Sequence, residues 1–189
     1  YATLPDGYPS VENFPKALDL KVNAASGVYD VVALYNWSEE SAVKGLSFEE
    51  DLGLCPKTQY IVYDFWKQRL VGIVKDRVQT EVPPHGTAVL IVRPLKSSPQ
   101  LLATSRHITG AFSIKQLAWN QSKSVLSGTS ETIPYTIYSL YLYVPDGVTL
   151  SNVDSDTRVL FNKLEGNLLE VAFQGREKPI KWVLNFTNQ

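Results

Sequence analysis

Arg106 and His107 stand side by side in "TSRHITGAF", residues 104–112, and their types invite a chemical reading. A histidine acts in nucleophilic catalysis only with a nucleophile and an orienting group within hydrogen-bond reach. This segment has no serine in a glycine elbow and no flanking acid. Arginine offers five donors in a planar fork, and a histidine ring can both donate and accept. The pair is therefore expected to hold a contact between domains, and no catalytic residue is assigned. The other histidine, His85, lies in "VPPHGTAV", where Pro-Pro-His-Gly reads as a turn between strands. Neither histidine has a metal-ligand spacing such as HExxH, and Cys55 is alone, so no metal, cofactor or internal disulfide is expected.

Paired carboxylates, one acid and one base or nucleophile, are what glycoside hydrolysis requires. Asp64 in "YDFW" is the acid most surrounded by aromatics. In a strand it shares a face with Tyr60, Val62 and Trp66, so a structural hydrogen bond to a loop is its expected use, and Asp64 and Trp66 are candidates for interdomain contact. Glu39-Glu40 and Glu49-Glu50-Asp51 read as solvated turns. Tyr141 and Tyr143 share one face of a strand with Ser139. That face is either a platform for stacking sugar rings or a covered sheet face, since Tyr favours interfaces as well.

These residues need elements to position them, and period-two alternation dominates the chain. In "RVQTEVPP", Val78, Thr80 and Val82 point one way and Arg77, Gln79 and Glu81 the other, and Pro83-Pro84 stops the strand. The segments "VYDVVALYNWS", "QYIVYDFW", "RLVGIVK", "TAVLIVRPL", "IKQLAW", "YTIYSLYLYV", "RVLFNKL", "LLEVAFQ" and "IKWVLNF" read as further strands. Turns fall at Lys67-Gln68, Asp146-Gly147 and Gly166-Asn167. No segment has helical spacing. The prediction is an all-β chain of antiparallel β-sandwich architecture, with two consecutive immunoglobulin-like sandwiches over 1–96 and 97–189. The boundary falls within "RPLKSSPQ", Arg93 to Gln100; one continuous larger sandwich is the alternative.

Composition narrows the function classes. With 44% hydrophobic residues the chain can bury a core, and a net charge of -1 gives no long-range pull toward nucleic acid or anionic lipid. No apolar run approaches the roughly 20 residues of a spanning helix. Neither nucleic acid nor membrane is expected as a partner. The chain contains no Met and opens at Tyr1 without a basic-then-apolar leader, so it is expected to be part of a longer polypeptide. Asn36, Asn120 and Asn185 each begin an Asn-x-Ser/Thr sequon, and Asn120 is the best placed, in a polar turn. Compartment stays open.

Read in order, "VYDVVALYNWSEE", "YIVYDFWKQRLVGIV", "VPPHGTAVLIVRPL", "PQLLATSRHITG" and "YTIYSLYLYVPDG" resemble the C-terminal region of α-galactosidase-type glycoside hydrolases of the melibiase clan, families 27 and 36 and their bacterial relatives. The resemblance runs from about Asp19 to Phe186. It implies an antiparallel β-sandwich that follows a (β/α)8 barrel. It also implies that the barrel's two catalytic aspartates lie before Tyr1 and that the whole enzyme acts on α-galactosides. The expected role is a non-catalytic accessory domain whose partner is that barrel; an autonomous carbohydrate-binding module is the alternative.

Overall fold

A computed structural model of the chain describes residues 2–3, 14–109 and 113–188. The described residues form strands, turns and loops with no helix, as the alternation predicts. The tail of "TSRHITGAF", Gly110 to Phe112, lies outside the described residues.

The chain divides into two compact units, one of Tyr1–Val22 with Val28–Leu95 and one of Asn23–Gly27 with Lys96–Gln189. The first unit carries a six-stranded sheet. Its strands in chain order are β1 (Ala2–Thr3), β2 (Ala17–Ala24), β3 (Gly27–Tyr35), β5 (Tyr60–Asp64), β6 (Arg69–Val74) and β8 (Thr87–Pro94). Across the sheet the order is β1-β2-β3-β8-β5-β6. A second sheet pairs β4 (Ala42–Ser47) with β7 (Arg77–Val82). Both sheets contribute to one core: Val32, Leu34, Val62, Leu90 and Val92 from the first, Leu46, Val78 and Val82 from the second, with Phe48 and Leu52 from the connection after β4. The face division predicted for β7 holds, with Val78, Thr80 and Val82 buried and Arg77, Gln79 and Glu81 exposed.

The second unit has two four-stranded sheets. One comprises β10 (Ile114–Asn120), β11 (Val125–Ser130), β16 (Ile180–Asn188) and β13 (Val148–Ser155) in that spatial order. The other comprises β14 (Val159–Glu165), β15 (Leu168–Gln174), β12 (Ile137–Tyr143) and β9 (Gln100–Thr104). Leu126, Ile180, Trp182, Leu184 and Phe186 from one sheet share a core with Leu101, Tyr138, Leu140, Leu142, Val171 and Phe173 from the other. Two antiparallel sheets closed around one apolar layer make a sandwich.

Strands β1, β2, β4, β9, β11 and β13 went unrecognised in the sequence. The reason is physical: β9, "QLLAT", is buried at every position, so it shows no alternation, and β13, "VTLSNVDS", is too polar to show an apolar face and is held by its ladder to β16.

Candidate functional site

Strands β3 and β5 both pair antiparallel with β8, so they run the same way and end at the same end of the six-stranded sheet. A tryptophan follows each of them. Trp37 lies two residues beyond Tyr35, and Trp66 two residues beyond Asp64. Strand β2 starts at this end too, since the Tyr35 amide donates to the Lys16 carbonyl at 2.9 Å. Phe14 stands just before it.

The result is an aromatic rim. Trp37 is 49% exposed and Trp66 59%, and Phe14 is exposed as well. Trp37 stacks on Tyr35, with ring centroids 5.5 Å apart, and lies tilted against Phe14 at 5.0 Å. Its Nε1–H donates to the Pro15 carbonyl at 2.8 Å. Trp66 meets Phe65 edge to face at 5.1 Å. His85 Nε2 lies 3.1 Å from a Glu39 carboxylate oxygen at the same end. His85 occupies the predicted turn with φ 48°, a conformation uncommon for a residue other than glycine.

Buried polar side chains anchor the rim. Asn36 Nδ2 donates to the carbonyls of Glu40 (2.7 Å), Val82 (3.0 Å) and Pro83 (3.0 Å), which ties the end of β3 to the end of β7. Asn36 is buried and its amide is committed, so this sequon does not present a glycan acceptor. The exposed Asn120 differs, because its Oδ1 accepts from Ser122 and Lys123 within its own turn. Asp64 is fully buried, and its Oδ1 accepts the Lys67 amide at 3.0 Å, the loop hydrogen bond expected of it. That bond sets the turn that carries Trp66 outward.

Two buried acids of the first unit share one cation. Asp19 and Asp30, both buried, are bridged by one ammonium, with Lys21 Nζ 3.0 Å from each. Burial pushes both carboxyls above their usual range, against the pull of Lys21. Among the described residues, no group of three or more His, Cys, Asp or Glu is placed to hold a metal ion. No helix among them is long and apolar enough to cross a membrane.

Arg106 and His107 lie in the second unit, and both are exposed. Arg106 Nη1 pairs with Glu131 at 3.4 Å, and Lys115 holds the other oxygen of that carboxylate at 3.0 Å. His107 Nδ1 accepts the Thr109 amide at 3.2 Å and lies 2.9 Å from Thr109 Oγ1. The ring thus organises its own turn. Tyr141 and Tyr143 require a correction: they are 4% and 9% exposed, so neither offers an open ring face for sugar stacking. The covered-face alternative is the one observed. Of the rim, the sequence reading singled out Trp66, placing it on the strand face of Asp64 although β5 ends at Asp64; Trp37, which follows a strand end at the same spacing, was missed.

Residues 22–92 match the family described as the alpha galactosidase C-terminal beta sandwich domain. The match lies within the first half of the chain and is shorter than the span over which the sequence resemblance runs. No curated protein matches. Among solved structures, alpha-galactosidase I from Mortierella vinacea is 22% identical over 41% of this chain and 20% of its own, with a TM-score of 0.35. A GH27 β-L-arabinopyranosidase from Geobacillus stearothermophilus is 25% identical over 44% of this chain and 18% of its own, with a TM-score of 0.36. The isomalto-dextranase of Arthrobacter globiformis T6, complexed with panose, is 17% identical over 90% of this chain and 36% of its own, with a TM-score of 0.36. The chain spans a fifth of the length of the Mortierella protein.

Proposed function

We propose that this chain, whose residues 22–92 match the alpha galactosidase C-terminal beta sandwich domain family, is a non-catalytic accessory part of a glycoside hydrolase that packs on and stabilises a (β/α)8 barrel of the same polypeptide. The parent enzyme, on this reading, is α-galactosidase-like. The chain forms two domains divided within Arg93 to Gln100.

The observation that carries the reading is the aromatic rim. Exposed Trp37, Trp66 and Phe14 are held by strand ends, an indole hydrogen bond and two buried polar anchors. Large rings kept rigid in water lose little further freedom on association and bury much area, which is how interfaces use Trp and Tyr. Asp64 acts here as the anchor of Trp66 and touches no substrate. In the second unit, Arg106 and His107 are proposed as further contacts to the barrel, and neither is catalytic.

The test compares the parent polypeptide with the 189-residue chain. Trp37→Ser with Trp66→Ser is expected to lower the melting temperature of the parent by several degrees more than that of the isolated chain, which loses only the Trp37 contacts to Tyr35, Phe14 and Pro15. Equal effects on both, or no effect on the parent, argue against docking at the rim. The isolated chain is expected to leave aryl α-galactosides intact. Turnover by the purified chain that is abolished by Asp64→Asn overturns its non-catalytic assignment.

A further inference from the structure

In the second unit one aromatic ring is more exposed than any in the rim. Tyr135, in the connection between β11 and β12, is 94% exposed and has φ 63°. That backbone conformation disfavours residues with a Cβ, and glycine or asparagine would occupy it more readily. It is imposed by a lock between two loops. The Tyr135 amide donates to the Gly175 carbonyl at 3.2 Å, and the Gly175 amide donates to the Thr136 carbonyl at 2.8 Å. Thr136 Oγ1 donates back to the Ile133 carbonyl at 2.8 Å. A Cβ at position 175 would collide with that same Ile133 carbonyl, so only glycine closes the lock. The facing loop is held by Arg176, whose guanidinium donates to the Asp156 carboxylate at 2.6 Å and to the carbonyls of Asp156 (2.8 Å) and Pro179 (2.9 Å).

The lock leaves a cleft of about 280 Å³ lined by Pro134, Tyr135, Gly175, Arg176, Glu177 and Lys178. This is slightly below the roughly 300–1,000 Å³ of small-molecule sites, a size for one or two rings. We propose that Tyr135 is the stacking platform of a saccharide site, with a pyranoside lying on its ring and the exposed Glu177 and Lys178 meeting the sugar hydroxyls. A strained backbone that presents a ring to open solvent points to a ligand for that ring. Glu177 and Lys178 are of opposite sign, so the cleft favours an uncharged ligand. A carboxylate accepts from hydroxyls and an ammonium donates to them, as a pyranoside requires. The site goes beyond the docking role and does not depend on a barrel.

The experiment titrates the 189-residue chain with methyl α-D-galactopyranoside and, separately, methyl α-D-glucopyranoside while following backbone amide resonances. Either glycoside, at tens of millimolar, is expected to shift the amides of residues 133, 135, 136 and 175–178. Tyr135→Phe is expected to keep binding. Tyr135→Gly is expected to abolish it without lowering the melting temperature, since glycine relieves the backbone strain and separates loss of the ring from loss of folding. Absence of shifts with both glycosides, shifts confined to other residues, or unchanged binding in Tyr135→Gly overturns the proposal.

Discussion

The guanidinium carbon of Arg93 lies 3.5 Å from the centroid of the Tyr29 ring, both residues being buried in the first unit. Burial lowers the Arg93 pKa to about 10, while the Tyr29 ring and hydroxyl favour the charged form. A desolvated cation over an aromatic face is worth about 2 kcal/mol or more, and Tyr29→Leu is expected to cost at least that much in urea denaturation. Tyr29→Leu with Arg93→Met is expected to lose less than Tyr29→Leu alone, because the double change removes the charge that the single change leaves behind. Additive losses would show that the two side chains act independently.

Lys21 holds two buried carboxylates, and its own side chain is 42% exposed. Lys21→Met is expected to cost on the order of 3 kcal/mol, the low end for breaking a buried ion pair. The acid side of the pH profile provides the check. The folded pKa values of Asp19 and Asp30 are raised above the ordinary 3.8, so their contribution is complete below that value and is lost as pH rises through the folded values. Without the ammonium both values rise further. The deficit of Lys21→Met should therefore be largest at neutral pH and shrink as pH falls toward 4; a deficit independent of pH refutes the account.

Asn36→Ala removes three donor contacts, one of them to the buried Val82 carbonyl. The expected loss is about 2–3 kcal/mol by chemical denaturation. Asn120→Gln, at an exposed turn, is expected to change stability by less than about 0.5 kcal/mol. Similar effects of the two changes would contradict the division into a structural and a surface sequon.

Gly128 on β11 is the register partner of Trp182 on β16, and a Cβ at Gly128 would enter the indole ring. Gly128→Ala is expected to destabilise by about 1–3 kcal/mol through overpacking. Ser130→Ala, which takes away the acceptor of the buried Trp182 Nε1–H at 2.9 Å, is expected to cost about 1–3 kcal/mol. Loss of Trp182 fluorescence anisotropy or near-ultraviolet dichroism in either variant locates the damage at that ring.

Much of this protein is local information. Alternation in "RVQTEVPP" determines which side of β7 is buried, because successive side chains on a strand point to opposite faces. Pro-Pro-His-Gly and Asp-Gly determine turns, since their backbones favour the angles that turns need. Asp64 beside a strand end determines a cap on the next turn, as its side chain reaches an amide three residues on. What the tertiary structure decided is which exposed-looking faces are covered and which turns stay open. Tyr141 and Tyr143 alternate as a platform should, yet burial belongs to whatever packs over a face, and no spacing within β12 encodes it. Asn36 is a sequon by its three residues and a structural anchor by Val82 and Pro83, which arrive from more than 40 positions away. Tyr135 is one polar-loop residue among many until Gly175, 40 positions on, closes against its loop by hydrogen bonds to residues 135 and 136.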